Sequence, residues 1–192
     1  MSWTQKYRAR LIAGSYRQWT RPGQKVLDVG CGNAEVSEAL KNILDIDIHG
    51  TDISDYRKYE IPFRLMDSAE RLPFGNDTFD VVMFNDVLHH SDNVVSLLKE
   101  GRRVATQILV FEDKESKFLR FFDVMMNNFY CSDMPCPAAF LSQAEWKACF
   151  RNQELTVQDG LVRTPFWYPI GHFTFCLQPG ANIIASRGTN AG

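Results

Sequence analysis

KVLDVGCGNAEVSEAL, residues 25–40, has the pattern of an apolar strand that ends at two glycines and continues as a helix. Gly30 and Gly32 stand at the end of the strand. The helix predicted over 33–44 carries its apolar residues on one face: Val36, Leu40, Ile43 and Leu44. Glycine lets backbone N–H groups approach a ligand, and the helix that follows offers its N-terminus to the same ligand. The stretch therefore predicts a nucleotide-binding turn between the first strand of a sheet and a helix.

The rest of the first half alternates strands with helices. Asp92 or Asn93 caps a predicted helix that continues to Arg103. Apolar runs predict further strands over 47–51, 63–66, 79–84 and 107–111. Such alternation predicts right-handed crossovers and a parallel sheet. Two later strands are predicted over 155–162 and 172–177. The loop between them is too short for a helix, so we expect these two strands to be antiparallel neighbours.

Three other segments are predicted to be helical. Residues 3–19 carry a ragged apolar face, and SQAE at 142–145 is a capping box that opens a helix to residue 151. Residues 115–130 are apolar nearly all round. This segment predicts a helix buried against the sheet. The alternatives are that the segment lines the binding site of a hydrophobic acceptor substrate, or that it makes a peripheral contact with a membrane surface.

Positive charge is concentrated at the start of the chain. Residues 1–27 contain no acidic residue, although the whole chain has 21 basic and 23 acidic residues. The basic residues of this segment are Lys6, Arg8, Arg10, Arg17, Arg21 and Lys25. The pattern fits either a surface helix or a lid that meets an anionic group, and the sequence leaves both open. A removable transit peptide is disfavoured because the first predicted strand begins near Lys25.

Length and composition predict one globular domain over 1–192. The chain is 45% hydrophobic, and it lacks the run of roughly 18 apolar residues that a membrane span needs. The five cysteines are odd in number and scattered, which favours a reducing cytoplasm over a disulfide framework. Cys131 and Cys136 lie close in sequence. Because neither a second pair nor a nearby histidine completes a tetrahedral site, we predict no metal.

Polar side chains follow three further predicted strands. Asp52 ends the second strand, Asp67 the third and Asn85 the fourth. Ligands bind at the carboxyl ends of parallel strands, where Asp52 can accept both hydroxyls of a ribose and Asp67 can accept from an adenine amino group. Glu35 replaces the third glycine of the G-x-G-x-x-G dinucleotide motif, and its carboxylate would repel a pyrophosphate. The predicted ligand is therefore a nucleotide without phosphates.

Together these motifs resemble those of the class I S-adenosylmethionine-dependent methyltransferases. The stretches VLDVGCGNAEVS, HGTDIS and LMDSAERLPFGNDTFDVVMFNDVLHH carry the resemblance, which covers residues 25–112. The ubiquinone and menaquinone biosynthesis C-methyltransferases are the similar subgroup. The resemblance implies a Rossmann-like, doubly wound α/β fold with a mostly parallel seven-stranded sheet and an antiparallel last strand. It also implies S-adenosyl-L-methionine as cofactor and S-adenosyl-L-homocysteine as product.

The resemblance also implies cofactor-binding roles at matching positions. The family's D/E-x-G-x-G-x-G loop corresponds to residues 28–34, with Ala34 in the last place. Asp52 matches the ribose-binding acid and Asp67 the adenine-binding acid, with a backbone N–H of Ser68 or Ala69 for the ring. The backbone of Asn85 matches the position that holds the methionine part. The cofactor-binding residues predicted in this way are Asp28, Gly30, Cys31, Gly32, Asn33, Asp52, Ile53, Asp67, Ser68 and Asn85.

Methyl transfer is an in-line displacement, and an acceptor oxygen or carbon also needs a base. His89 and His90 follow the fourth strand at the mouth of the predicted crevice, and a neutral imidazole there could take a proton. We therefore predict these two residues as catalytic candidates, with a structural role as the alternative. His172, in a late strand, is predicted to be a packed core histidine.

The basic first helix has candidate contacts of its own. An aromatic face suits the sulfonium cation, which makes Tyr7 and Trp19 candidates, although packing is the simpler explanation for both. If the segment is a lid, Tyr7, Arg8 or Arg10 would lie near the methionine carboxylate. The predicted division is a lid helix over 1–24, a cofactor-binding half over 25–112 and a substrate-side half over 113–192.

The predicted function is methyl transfer to a small, apolar or amphipathic acceptor. The alternative is a non-catalytic domain that binds the cofactor or a partner on the same fold. An NAD-dependent reductase is disfavoured by Glu35. A nucleic-acid acceptor is disfavoured because the late chain is acidic and contains no RNA-binding module.

Overall fold

The computed structural model describes residues 3–114, 141–164, 168 and 170–180, which form a seven-stranded sheet with helices on both faces. The strands are β1 (Lys25–Val29), β2 (Asp47–Asp52), β3 (Phe63–Leu65), β4 (Phe79–Asn85), β5 (Ala105–Asp113), β6 (Leu155–Asp159) and β7 (His172–Pro179). The helices are α1 (Trp3–Tyr16), α2 (Glu35–Leu44), α3 (Val94–Val104) and α4 (Gln143–Asn152), with a 3-10 helix at Leu88–His90.

The strands lie in the order β3-β2-β1-β4-β5-β7-β6. The first five are parallel to one another, whereas β7 is antiparallel to both β5 and β6. This arrangement confirms the predicted mostly parallel sheet with an antiparallel last strand, and also the antiparallel pairing of the two late strands. The order reverses between β1 and β4, and in open α/β sheets such a reversal opens a crevice at the carboxyl ends of the strands.

Apolar side chains cover both faces of the sheet. The layer beneath α3 and α4 includes Leu97, Leu98, Trp146 and Phe150. The layer beneath α1 and α2 includes Ile12, Tyr16, Leu40 and Leu44. The central strand β4 contributes Val82 and Phe84 to the first layer and Val81 and Met83 to the second. Burial on both faces explains its continuous apolar sequence.

α1 belongs to the core of the domain. Ile12 and Tyr16 are fully buried between this helix and the sheet. The helix ends at Tyr16, three residues before the predicted end, because the carbonyl of Tyr16 accepts from the backbone N–H groups of Trp19 and Thr20 at 2.8 and 3.0 Å. The second half of α1 is therefore structural.

Three other boundaries also differ from the prediction. α2 begins at Glu35, two residues late, because Ala34 has a left-handed backbone with φ of 62°. β5 continues to Asp113, beyond the predicted end, because β7 pairs with it as far as His172. The predicted strand over 155–162 is shorter and ends at Asp159.

The capping box at the start of α4 is confirmed: Ser142 Oγ accepts from the backbone N–H of Glu145 at 3.3 Å. The helix predicted over 115–130 lies outside the described residues. Among the helices that the structure does describe, none has the length and apolar character needed to cross a bilayer.

Candidate functional site

A cavity of about 420 Å³ opens at the carboxyl ends of β1 and β4, where the strand order reverses. Its walls come from the loop after β1, the ends of β4 and β5, the 3-10 helix, and the first turns of α1 and α2. The lining residues are Gln5, Arg8, Asp28, Gly30, Cys31, Gly32, Asn33, Val36, Asn85, Asp86, His89, His90 and Asp113. The predicted site residues outside this wall are Asp52, Ile53, Asp67 and Ser68.

The loop between β1 and α2 bends at two glycines with left-handed backbones. Gly30 has φ of 71° and Gly32 has φ of 54°. A Cβ on Gly30 would lie 2.5 Å from Cγ2 of Val87, so glycine is required there. The backbone N–H of Gly30 donates to the carbonyl of Thr51 at 2.8 Å, and that of Gly32 donates to Oδ2 of Asp52 at 2.9 Å. The end of β2 therefore fixes the loop in place.

A chain of buried hydrogen bonds runs beneath the cavity. The hydroxyl of Tyr16 donates to Oδ1 of Asn85, and Nδ2 of Asn85 donates to Oδ1 of Asp28, both at 2.9 Å. The hydroxyl of Ser37 donates to Oδ2 of Asp28 at 2.6 Å. Asp28 is only 3% exposed, and this burial raises its pKa to about 6 although the two hydrogen bonds and the charge of Arg8 oppose the shift. The Asp28 carboxyl is thus firmly held but short of compensating positive charge.

Asp52 and Ile53 lie beside the loop at the end of β2. The carboxylate of Asp52 accepts from the backbone N–H of Gly32 and, at 2.7 Å, from that of Ile53. A carboxylate has further acceptor sites, so a ribose contact is compatible with these bonds. Ile53 is 48% exposed although it is apolar. The predicted roles of both residues stay predictions.

Asp67 and Ser68 lie apart from the cavity wall. Both are exposed in the segment that follows β3, where Ser68 forms an isolated bridge with Arg71. β3 has three residues and stands at the edge of the sheet, so the segment after it is not enclosed by neighbouring strands. The predicted adenine contact at Asp67 stays a prediction.

The predicted histidines occupy the 3-10 helix and depend on Glu112, which the sequence reasoning missed. Glu112 is 1% exposed at the end of β5. Its Oε1 accepts from the backbone N–H groups of Val87 and Leu88 at 3.2 and 2.8 Å, and its Oε2 lies 2.5 Å from Nδ1 of His89. Burial opposes the charged form of His89, but the hydrogen bond and charge of Glu112 outweigh it and raise the pKa of the imidazole.

His90 has the opposite electrostatic environment. Its ring centroid lies 3.9 Å from that of His89, and its side chain lines the mouth of the cavity. Partial burial of the ring and the neighbouring His89 lower the pKa of His90 to about 4. At neutral pH, therefore, His90 is the uncharged member of the pair and can accept a proton.

Arg8 of α1 reaches into the cavity, where it meets the end of β4. Its Nη2 donates to Oδ2 of Asp86 and, at 3.5 Å, to the carbonyl of Asn85. Asp86 has a left-handed backbone with φ of 53°, which few residues other than glycine, asparagine and aspartate adopt. Burial raises the pKa of Asp86, although the charge of Arg8 opposes the shift.

Asp86, Glu112 and Asp113 are the functional candidates that sequence reasoning missed. The rule applied to the second, third and fourth strands, that a polar residue ends an apolar strand, also fits the sequence FED at 111–113. Applied to β5, it would have identified Glu112 and Asp113. Asp86 directly follows Asn85, which was predicted. The feature that sets Asp86 apart from its neighbour is its left-handed backbone.

The aromatic candidates for the sulfonium lie outside the cavity wall. The ring of Tyr7 packs on that of Tyr168, with centroids 5.0 Å apart. The ring of Trp19 covers Gly160 so closely that a Cβ there would meet it at 2.5 Å. His172 is buried, in agreement with the prediction, and its ring stacks on that of Phe111.

Comparison with known sequences gives matches over the cofactor half. Residues 27–107 match the family model described as a methyltransferase domain. An O-methyltransferase of Pyrenophora dematioidea is 30% identical in an alignment of 112 residues, and the match covers 48% of this chain and 42% of that protein. The ubiquinone/menaquinone biosynthesis C-methyltransferase of Burkholderia vietnamiensis (strain G4 / LMG 22486) is 31% identical in an alignment of 116 residues, and the match covers 50% of this chain and 48% of that protein. The chain thus spans less than half the length of these two relatives.

Solved structures resemble the chain over most of its length. The magnesium protoporphyrin IX methyltransferase of Synechocystis PCC 6803, solved with bound S-adenosylhomocysteine, covers 92% of this chain and 84% of its own with a TM-score of 0.61. The two sequences are 16% identical, so this likeness concerns the fold. Family match and fold together confirm the resemblance inferred from the motifs.

Proposed function

Because this chain belongs to the class I S-adenosylmethionine-dependent methyltransferases, we propose that it transfers a methyl group from S-adenosyl-L-methionine to a small, amphipathic acceptor. The observation that carries the proposal is the cavity at the reversal of strand order, where Gly30 and Gly32 meet Asp28 and Asn85. Parallel α/β sheets bind ligands at this position. When bound, S-adenosylmethionine supplies an electrophilic methyl group on a positively charged sulfur.

The chain's own residues would hold the methionine part of this cofactor. Asp28 lies buried with too little positive charge around it, so an ammonium group is the ligand group that suits it best. The carbonyl of Asn85 would accept from the same ammonium, because its present donor, Arg8, approaches at only 3.5 Å. Arg8 would then pair with the methionine carboxylate. Asp52 would accept from the ribose hydroxyls.

His89 and His90 would have different roles in proton transfer. Nδ1 of His89 lies beside Glu112, which stabilises the charged imidazole and raises its pKa, so His89 is held in place rather than offered to the acceptor. His90 is neutral and lines the cavity mouth, so it would take the acceptor's proton as the methyl group is transferred. A base with a pKa of about 4 suits an acceptor whose proton is already acidic.

The proposed acceptor is amphipathic because the described wall of its side of the cavity is polar. Gln5, Asp86 and Asp113 would form this wall. An apolar part of the acceptor would contact the substrate-side half over 113–192, whose most apolar segment lies outside the described residues. The first turns of α1 would act as a lid, since they bring Gln5 and Arg8 into the wall.

Calorimetry with S-adenosylmethionine, S-adenosylhomocysteine and NADH tests the proposed cofactor. Wild-type protein should bind the first two and should not bind NADH. Asp52→Ala should weaken binding about 10- to 150-fold, as expected for loss of hydrogen bonds to a charged group of about 1.5–3 kcal/mol. Asp52→Asn should weaken it less, because an amide oxygen still accepts.

Asp47→Ala is the matched control, because Asp47 is an exposed aspartate at the other end of β2. It should bind S-adenosylhomocysteine like the wild type. Binding of NADH in preference to S-adenosylmethionine would overturn the proposal. Equal binding by Asp52→Ala and Asp47→Ala would remove Asp52 from the site.

A further inference from the structure

Three side chains that could ligate a metal converge at the end of the cavity farthest from the β1–α2 loop. Asp86 follows β4, Asp113 ends β5 and His172 begins β7. Because β7 runs antiparallel to β5, its first residue stands directly opposite the last residue of β5, and His172 is the register partner of Asp113. One carboxylate oxygen of Asp86, one of Asp113 and a ring nitrogen of His172 all lie within 4.8 Å of one another.

Within the described residues, each of these three side chains has one potential metal-binding atom without a hydrogen-bond partner. Oδ1 of Asp86, Oδ1 of Asp113 and Nδ1 of His172 are each inaccessible to solvent and lack a hydrogen-bond partner. His172 itself is only 5% exposed. Native proteins rarely leave buried polar atoms unsatisfied, and three such atoms at one point indicate a missing ligand.

The side chains of His172 and Asp113 lie as close as hydrogen-bonded groups, but their relative orientation does not suit a hydrogen bond. Nδ1 of His172 lies 2.7 Å from Oδ1 of Asp113, yet the pair fails hydrogen-bond geometry. The lone-pair direction of the ring nitrogen therefore misses the carboxylate oxygen. Two ligands of one octahedral ion lie roughly 3 Å apart without a proton between them, which is close to this arrangement.

Arg8 leaves this cluster room for a cation. Its guanidinium bonds to Oδ2 of Asp86, so that Oδ1 of the same carboxylate is left for the cluster. When both are ionised, the carboxylates of Asp86 and Asp113 carry two negative charges, and Arg8 supplies one positive charge. A divalent cation would supply the remaining positive charge and satisfy all three buried donor atoms at once.

We propose that Asp86, Asp113 and His172 bind a divalent cation at the acceptor end of the cavity. Two carboxylate oxygens and one imidazole nitrogen form a ligand set that suits Mn²⁺, with Zn²⁺ and Fe²⁺ as the related ions. The proposal replaces the sequence prediction of no metal, which considered the cysteines alone. Asp86 and Asp113 line the cavity, so the open coordination positions face the space of the acceptor. We infer further that the acceptor presents an oxygen atom to this ion. This part of the inference rests on the proposed function.

The competing arrangement is a metal-free network of two ion pairs, Arg8 with Asp86 and protonated His172 with Asp113. Titration of the protein with Mn²⁺ after treatment with EDTA separates the two. Free Mn²⁺ is measured by electron paramagnetic resonance, and bound Mn²⁺ by the relaxation of water protons. We expect one saturable site in the wild type.

Variants identify the ligands. Asp113→Asn and His172→Gln should each weaken Mn²⁺ binding by at least about tenfold, since even indirect partners of metal ligands have effects of this size. Asp92→Asn is the matched control, because it changes an exposed aspartate at a distance from the cluster in sequence and should bind Mn²⁺ like the wild type. Circular dichroism checks that each variant is folded.

Absence of saturable binding of Mn²⁺, Zn²⁺ and Mg²⁺ to the wild type at millimolar concentration would overturn the inference in favour of the ion-pair network. So would variants that bind Mn²⁺ as tightly as Asp92→Asn. The wild-type titration decides even if a variant does not fold. S-adenosylhomocysteine binding to the EDTA-treated wild type is measured separately, and its failure would count against the proposed function alone.

Discussion

The two ends of the cavity differ in how their buried polar groups are satisfied. At the β1–α2 end, Gly32 bonds to Asp52, and Asp28 accepts from both Ser37 and Asn85. At the β5–β7 end, Asp113 and His172 contribute buried atoms without hydrogen bonds. The first end is assembled by the chain itself, whereas the second is complete only with a further ligand. The proposed cofactor end of the cavity can thus be fixed by the fold, while the proposed acceptor end still requires a ligand.

Removal of Glu112 is expected to have the largest effect on this contrast, because both carboxylate oxygens of this acid near the β5–β7 end have partners. Glu112→Ala leaves the backbone N–H groups of Val87 and Leu88 buried without an acceptor. Unsatisfied buried donors cost about 1–3 kcal/mol, so the free energy of unfolding should fall by about that amount in urea titrations. The imidazole of His89 should also lose its raised pKa, which NMR titration would show.

A matched control is Glu154→Ala, which removes an exposed glutamate at the turn before β6. Its stability should stay within about 0.5 kcal/mol of the wild type. If Glu112→Ala is as stable as this control, Glu112 does not hold the 3-10 helix, and the β5–β7 end is less ordered than described.

The pH dependence of cofactor binding tests the β1–α2 end. Burial raises the pKa of Asp28 to about 6 in the folded chain, above its usual value near 4, so the folded state holds this proton more tightly than the unfolded state. Ionisation of Asp28 therefore lowers the free energy of unfolding as the pH rises from about 4 to about 6. Because the anionic form is the partner of an ammonium, the affinity for S-adenosylhomocysteine should rise over the same interval.

Calorimetry at pH 5 should give an affinity about tenfold weaker than at pH 7, since binding releases one proton and the ionised fraction of Asp28 falls about tenfold for each pH unit below its pKa. Asp28→Asn should bind more weakly than wild type at pH 7 and show little change between the two pH values. A wild-type affinity that is the same at both would mean that Asp28 does not receive the ammonium.

A small gain in stability is expected at Ala34, the one strained residue of the otherwise well-satisfied loop. Its φ of 62° places an alanine in the left-handed region. That conformation costs an L-residue about 1–2 kcal/mol, which glycine avoids. The greater flexibility of glycine in the unfolded chain offsets part of this gain in stability. Ala34→Gly should therefore raise the free energy of unfolding by about 0.5–1 kcal/mol in denaturant titrations.

Ala39→Gly is the matched control because Ala39 lies inside α2, where glycine lowers stability by about 1 kcal/mol. The two substitutions should thus have opposite signs. If both destabilise the protein, the strain at Ala34 is relieved by its surroundings.

Sequence reasoning predicted the β1–α2 end well because its determinants are local. Glycines at a strand end, an apolar helix face and acids after successive strands can all be read along the chain, and the structure brings Asp28, Gly30 and Asn85 into one wall. The β5–β7 end depends on strand register. His172 meets Asp113 only because β7 inserts antiparallel beside β5, and this pairing leaves no mark in the local sequence of either residue.

Asp67 shows that a position at a strand end does not by itself place an acid in the described cavity wall. Its strand, β3, is short and stands at the edge of the sheet, so an acid at its end is not brought into the cavity wall by neighbouring strands. Arg8 shows the complementary difficulty. Its helix lies far from Asp86 in sequence, and packing of Ile12 and Tyr16 in the core decides which of its basic residues reaches the cavity.

The insertion of β7 between β5 and β6 has a consequence for the order in which the chain folds. In the described part of the chain, β6 pairs with β7 alone, and β7 is synthesised after it. A nascent chain that ends before residue 172 therefore presents the edge of β5 without its neighbour and carries β6 without any partner. Exposed strand edges of this kind favour association with other chains. Completion of the described sheet thus requires β7, and the chain is most open to such association before this strand is available.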